Sequence, residues 1–413
     1  MKAIDCGTLI DGISEEPLSD GRIVIEDGRI TAVGTRSEVS VPGDAERIDH
    51  SNETVLPGLI DAHLHINGWR SLQPFDMTTL DIVTQTARAT EDLKVLLRGG
   101  FTSVRDCGGP TGLGLREAVE EGSIAGPRIY TSWKSFSQTA GHADAHFLPY
   151  EWVTGGGSGD AIRGKSQGNV LADGVSECRK EVRKHLREGV DLIKIMTSGG
   201  MLSEKDHPDQ PHYSEEEIAV FTEEAHRWGI PVASHAEGTE GINRALRNGV
   251  DTIEHGIGID DESIDLFQET GAILVPTLQA IYRNAIAGPD SDVPEWSIQK
   301  SKSAHEEHIE SAKRAYDNGV PIAHASDCGG TENHPLGTHL EFTLLVEEVG
   351  LSEMEAIKSA TSIAAKALAD DSIGAIEPGR YADLVAISGD PLSEIQQLSE
   401  IHTVYKSGDT VDV

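Results

Sequence analysis

The run Val55-Leu56-Pro57-Gly58-Leu59-Ile60-Asp61-Ala62-His63-Leu64-His65 decides how the rest of the chain is read. Its apolar part has the length of a buried strand, and Pro57-Gly58 marks a corner. Side chains alternate along an extended chain, so His63 and His65, two positions apart, point to the same side. One metal ion can be gripped by both.

Outward from this run, between about 58 and 370, apolar strands alternate with charged helices, the pattern of parallel βαβ units. Strands are predicted around Leu56 to Ala62, Thr102 to Arg105, Ile129 to Thr131, Leu192 to Met196, Pro231 to Ser234, Thr252 to Ile253, Ile273 to Val275 and Pro321 to Ala323. Helices are expected between most of them, including Glu177 to Glu188, Glu215 to Trp228 and His305 to Asn318. Eight such units favour a closed (β/α)8 TIM barrel over an open sheet.

Residues 1–57 read instead as short strands and turns. Arg22-Ile23-Val24-Ile25-Glu26 leads through Asp27-Gly28 into Arg29-Ile30-Thr31-Ala32-Val33, a hairpin signal. Residues 371–413 repeat the style in Tyr381 to Ile387 and Ile401 to Tyr405. The economical arrangement is an α/β protein with a small β-sandwich domain built from both termini, 1–57 and 371–413, and the barrel, 58–370, inserted between them. The stretch from about 132 to 172, with Gly155-Gly156-Gly157, is rich in Gly, Ser, Asp and aromatics, and reads as a lid over the barrel mouth.

Active sites of such barrels gather at the C-terminal ends of strands. His63 and His65 end the first strand, His235 the fifth in Val232-Ala233-Ser234-His235, and His255 the sixth in Thr252-Ile253-Glu254-His255. Asp327 follows the eighth in Ala323-His324-Ala325-Ser326-Asp327. Any one of the 17 histidines is more simply a satisfied polar group. Four imidazoles and a carboxylate at successive strand ends point to a metal.

Composition narrows the setting. The 413 residues include 69 Asp plus Glu against 34 Lys plus Arg, a formal net charge of −35. Nucleic acid is excluded as a partner, because phosphate binding needs basic patches. The acids fall on helix faces such as Ser214-Glu215-Glu216-Glu217 and Glu347-Glu348. Self-repulsion on this scale is screened at molar salt, where the Debye length is about 3 Å, so a halophilic source is expected. No apolar run approaches the roughly 18 residues of a membrane span. The start, Met1-Lys2-Ala3-Ile4-Asp5, alternates like a strand and lacks a signal peptide's apolar region, so a cytoplasmic location is expected. Cys6, Cys107, Cys178 and Cys328 form no C-x-x-C pair and read as free thiols. The expected partner is a small-molecule substrate, with neither nucleic acid nor membrane, and a homo-oligomer remains open.

The opening run resembles the first metal motif of the amidohydrolase superfamily, and the likeness extends over nearly the whole chain. Asp191-Leu192-Ile193-Lys194-Ile195-Met196 is similar to the strand-four segment, His235 and Ile253-Glu254-His255-Gly256 to the next two, and Ser326-Asp327 to the last. Ile376-Glu377-Pro378-Gly379-Arg380-Tyr381-Ala382-Asp383-Leu384 is similar to the return into the terminal β domain. Within the superfamily the chain looks most like the group of imidazolonepropionase-related amidohydrolases and metal-dependent Xaa-Pro dipeptidases, the prolidase-like enzymes. Ser135-Phe136-Ser137-Gln138-Thr139-Ala140-Gly141-His142 and Lys194-Ile195-Met196-Thr197-Ser198-Gly199-Gly200 are similar to the dipeptidases, and imidazolonepropionase does not share Lys194.

The resemblance implies a hydrolase of C–N bonds with two divalent cations. It assigns the first to His63, His65 and Asp327 and the second to His235 and His255, with a carboxylated Lys194 shared between them. Imidazole and carboxylate donors suit zinc, and Mn or Co also fit. Such cations activate water and polarise the scissile carbonyl. Asp327 would take the water proton and pass it to the leaving nitrogen, and His142 would lie over the substrate carbonyl or carboxylate. Tyr282 and Arg283, just past strand seven, are expected to clamp an anionic C-terminus. Where the dipeptidases often carry a tyrosine after the strand-five histidine, this chain has Ala236-Glu237-Gly238, and Glu237 would repel a carboxylate. The expected substrate is an Xaa-Pro-like dipeptide or an N-acyl amino acid. The alternatives are a cyclic-amide or imidazolone hydrolase, a deaminase, or a non-catalytic scaffold, which would be expected to have lost metal ligands.

Overall fold

The computed structural model describes residues 1–154, 168–288, 290–329 and 333–411. The termini build one sheet. From the N-terminal side come β1 (Lys2–Leu9), β2 (Leu18–Glu26), β3 (Arg29–Thr35) and β4 (Glu46–Pro57). The expected hairpin is β2 and β3, with Glu26 opposite Arg29 and both turn residues, Asp27 (φ 49°) and Gly28 (φ 77°), in the left-handed region that such a two-residue turn requires.

The expected first strand divides at the Pro57-Gly58 corner. Leu56 and Pro57 end β4 in the terminal sheet, and β5 (Leu59–Leu64) begins the first parallel sheet. A Cβ on Gly58 would lie 2.0 Å from Thr102 Oγ1, so only glycine lets the corner pass this close to Thr102. The following strands are β6 (Phe101–Asp106), β7 (Arg128–Thr131), β8 (Ser135–Ser137), β9 (Asn169–Leu171), β10 (Ile193–Met196), β11 (Val232–Ala236), β12 (Thr252–His255) and β13 (Ile273–Val275). They form two parallel sheets, ordered β5-β6-β7 and β13-β12-β11-β10-β8-β9. Finally β14 (Leu384–Ile387), β15 (Ile401–Lys406) and β16 (Asp409–Thr410) complete the terminal sheet, ordered β16-β15-β14-β4-β1-β2-β3.

Two expectations need correction. Pro321 to Ala323 forms no continuous strand: the stretch from 321 to 328 makes only bridges, Ile322 to Leu274 and Cys328 to Leu64. It nevertheless bonds to both parallel sheets. Ala323 N donates to Leu274 O (2.9 Å) on one side, and Ala62 N to His324 O (3.0 Å), His65 N to Cys328 O (2.9 Å) and Asp327 N to His63 O (2.7 Å) on the other. The ends of the stretch from about 132 to 172 are also strands, β8 and β9, which extend the six-stranded sheet beside β10. Its Gly155-Gly156-Gly157 lies outside the described residues.

Helices cover the sheets through one apolar face each. In Val175–Glu188 the buried residues are Cys178, Val182, His185 and Leu186, spaced at helical period, and Gly189 (φ 79°) ends the helix. Glu215–His226 starts from a capping box of Ser214 and Glu217. The helix expected from His305 begins earlier and spans Glu295–Asp317. Glu215, Glu216, Glu347 and Glu348 are exposed, as a solvated acidic surface requires. All four cysteines are free and buried. Among the described residues no helix is long and apolar enough to cross a membrane.

Candidate active site

The C-terminal ends of the parallel strands open into a cavity of about 280 Å³, just under the roughly 300–1,000 Å³ of drug-sized ligand sites. His63, His65, Lys194, His235, His255 and Asp327 all line it. Their backbones explain part of this convergence. His255 (φ 71°) and Asp327 (φ 48°) hold left-handed conformations, which are strained for such residues and recur at functional sites. The turn at His255 breaks strand alternation, so Glu254 and His255, although adjacent, both serve the site.

Three of the four imidazoles are held at Nδ1. His63 Nδ1 lies 2.5 Å from Glu254 Oε2, and Arg105 grips that carboxylate through Nη2 at 2.8 and 2.9 Å. His65 Nδ1 donates to Gly108 O (2.8 Å), and His255 Nδ1 is 2.7 Å from Thr277 Oγ1. Such partners fix the ring and tautomer of a metal-binding histidine. The Nε2 atoms of His63 and His65 lie 3.6 and 3.3 Å from Asp327 Oδ1. Two donors about 2.0–2.1 Å from a tetrahedral cation stand about 3.3 Å apart, so these three side chains fit one ion. His235, Glu237 and His255 form a second group whose ligand atoms lie within 4.8 Å of one another. The grouping of His63 with Cys107 and Glu254 is supporting structure, because Arg105 already engages the glutamate.

Lys194 bears most directly on what the site holds. It is 1% exposed, and its Nζ has no hydrogen-bond partner among the described residues. A buried ammonium without a partner is costly, and conversion to an anion beside cations removes that cost. Burial, followed by the Lys194 charge, keeps His63 well below the usual histidine range. Burial is likewise the leading cause for His235 and His255, with neighbouring histidines and Lys194 adding to it. All three are therefore neutral, the form that binds metal. At Asp327 burial raises the pKa, but His63, His65 and Lys194 together bring it below the ordinary aspartate value.

His142 also lines the cavity. Its ring stacks on His235 at 4.2 Å and 11°, and its Nδ1 lies 2.8 Å from Ser203 Oγ and 3.3 Å from Asp206 Oδ2. Gly200 passes so near that an added Cβ would lie 2.5 Å from His142 Cε1 and 2.7 Å from His235 Nε2. Glu237 lines the cavity too, buried, with Oε2 unpartnered among the described residues.

Tyr282 and Arg283 are not brought to the cavity. Their helix, Leu278–Ile286, turns Ala280, Ile281 and Asn284 to it, which leaves 282 and 283 on other faces. Tyr282 packs at a tilt near His305 (5.6 Å, 54°), and Arg283 Nη2 donates to Gly337 O at 3.3 Å. The expected guanidinium clamp is thus corrected: Lys194 is the only Lys or Arg among the described lining residues, and Trp69, Leu72, Met77, Met201 and Trp296 supply apolar wall.

A family model described as "Amidohydrolase family" matches residues 54–411. The chain belongs to the amidohydrolase family. Ochratoxinase from Aspergillus niger is 33% identical over 421 residues, covering 98% of this chain and 85% of the relative. Among solved structures, an Xaa-Pro dipeptidase with methionine bound in its active site superposes with TM-score 0.88 at 33% identity, covering 100% of both chains. A prolidase complexed with N-methylphosphonate-L-proline superposes with TM-score 0.90 at 34% identity, covering 99% of each. The protein is an enzyme of a hydrolase family acting on C–N bonds, whose members typically bind a divalent metal.

Sequence reasoning missed the supports of this amidohydrolase site: Glu254, Arg105, Asp206 and Gly200. Glu254 stands next to His255 in the strand-six motif, Gly200 ends the run that starts at Lys194, and Arg105 ends a predicted strand, but none of these positions says what the side chain or backbone meets. Arg105 and Asp206 reach their partners from distant segments.

Proposed function

We propose that this amidohydrolase hydrolyses the C–N bond of an Xaa-Pro-like dipeptide or an N-acyl amino acid at a binuclear, zinc-type centre. The observation that carries the reading is the buried, unpartnered Lys194 Nζ among His63, His65, His235, His255 and Asp327. In this reading His63, His65 and Asp327 would hold one cation and His235 and His255 the other, with a carboxylated Lys194 as the ligand common to both. The fold is a TIM barrel over 58–370, closed through the 321–328 stretch, with a β-sandwich from 1–57 and 371–413. The backbone bonds from 321–328 to both parallel sheets support closure, and an apolar cluster of Ile4, Ile23, Val55, Leu384 and Tyr405 supports the sandwich. Four free thiols support a cytoplasmic location, and the −35 charge a saline one.

Divalent cations in such a site polarise the scissile carbonyl and acidify water. The protein's own groups do the rest. Asp327, ionised at neutral pH, accepts the water proton at its carboxylate and delivers it to the leaving nitrogen. His142, its Nδ1 engaged by Ser203 and Asp206, turns its remaining ring edge to the substrate carbonyl. The apolar wall receives the acyl-side residue and excludes water, and Glu237 meets a neutral or cationic group of the substrate. Resemblance to prolidases and to ochratoxinase supports the amide class.

The test is elemental analysis and mass spectrometry of Lys194, followed by a screen of Xaa-Pro dipeptides, N-acyl amino acids and imidazolones in high salt. Two cations per chain, added mass on Lys194 and turnover of the first two classes are expected. Asp327→Asn should lower that turnover by about 10²- to 10⁴-fold. Turnover of imidazolones alone, or near-normal turnover by the variant, would overturn the proposal.

A further inference from the structure

Outside the cavity, the terminal sheet carries another cluster of metal-ligating side chains: His50 and Glu53 on β4 and His402 on β15. None of the three lines the active-site cavity. Their ligand atoms lie within 4.8 Å of one another. His50 Nδ1 meets Glu53 Oε2, and His402 Nδ1 lies 2.5 Å from Glu53 Oε1. The two imidazoles stand 5.9 Å apart, edge to face.

These residues meet although β14 separates β4 from β15 in the sheet. Two irregularities make this possible. Ala386 pairs with Thr403 and the next residue, Ile387, with Ile401, so His402 is the extra residue of a bulge. On β4, Cys6 pairs with His50 and Thr8 with Thr54, so residues 51–53 bulge out between those pairs. Bulges re-aim side chains, and here both aim at one point past the end of β14.

The cluster also has the outer partner that a metal-binding histidine requires. His50 is buried, and its other nitrogen, Nε2, lies 2.7 Å from the hydroxyl of buried Tyr405. That leaves Nδ1 as the ligand atom and locks the ring. Glu53 is mostly buried, whereas the His402 side chain is 55% exposed, so an ion has an entry path.

We propose that His50, Glu53 and His402 bind a divalent late-transition cation of the zinc class, tying the N-terminal and C-terminal parts of the chain together. Two imidazoles and a carboxylate with water access suit zinc, nickel or copper and not calcium or magnesium, which take all-oxygen shells. The site is independent of the catalytic centre and of the substrate reading above.

Full-length enzyme is dialysed against micromolar zinc and its metal content measured for wild type, His402→Ala and Glu53→Gln. Wild type should carry one more zinc per chain than either variant, with turnover unchanged in His402→Ala. Added zinc should raise the unfolding temperature of wild type more than that of His402→Ala. His402 is exposed, so its loss leaves the fold intact, and circular dichroism checks this. Equal zinc content in wild type and a folded His402→Ala would overturn the proposal.

Discussion

Lys194→Met separates what Lys194 does for the fold from what it does for the metal. In metal-free protein the Nζ is buried without a partner among the described residues, and such an ion costs several kcal/mol even after relaxation. Methionine fills a similar space, and swaps of that kind in a core cost under about 1.5 kcal/mol. The metal-free variant should therefore be more stable than metal-free wild type, by about 2–3 kcal/mol. With metal the order reverses in function. Losing a shared ligand should weaken metal binding by more than the roughly 10- to 100-fold seen for outer partners, and turnover should fall with it. Urea unfolding of chelator-treated protein reads the first effect, and elemental analysis with turnover reads the second. A variant that is less stable without metal, yet as metal-rich and active as wild type, would refute the reasoning.

Three further outcomes are expected. Gly200→Ala places a Cβ 2.5 Å from His142 Cε1, so the stacked rings must shift; a displacement near 1 Å should cost about 10²-fold in turnover with the fold retained, checked by kinetics and circular dichroism. Asp206 is held far below the usual aspartate range: burial opposes this, but His142, Ser203 and Lys300 outweigh it. A depressed carboxylate contributes stability above its unfolded value near 3.8 and loses it as pH falls through the folded value. Asp206→Asn should thus be destabilising at pH 5–7, with the gap to wild type narrowing below about pH 4 in denaturation series; a constant gap would count against the ion pair. The charge of −35 should make stability depend on salt, and equal unfolding midpoints in dilute buffer and molar KCl would remove the halophile inference.

Much of the site was legible because strand-end ligands are local signals. His63 and His65 declare themselves by a two-residue spacing, and Lys194, His235 and His255 each sit in a short apolar strand. Arg283 misled because its charge and its place after strand seven say nothing of helix phase. Once Leu278–Ile286 begins at Leu278, the 100° step per residue turns 280, 281 and 284 inward and carries 283 to Gly337. The stretch near 321 misled in the other direction: its apolar residues read as a strand, but its backbone makes only bridges to the two sheets beside it.

The sequence by itself determined the α/β character, the donor set and the amidohydrolase class, since periodicity and motif spacing are properties of neighbouring residues. Tertiary structure alone decided which distant groups meet, both around those donors and on the terminal sheet. Arg105 reaches Glu254, Asp206 reaches His142, and His402 reaches Glu53 across gaps of 149, 64 and 349 positions. No local pattern encodes such pairs, because chain packing, bulges and left-handed turns set where their side chains meet.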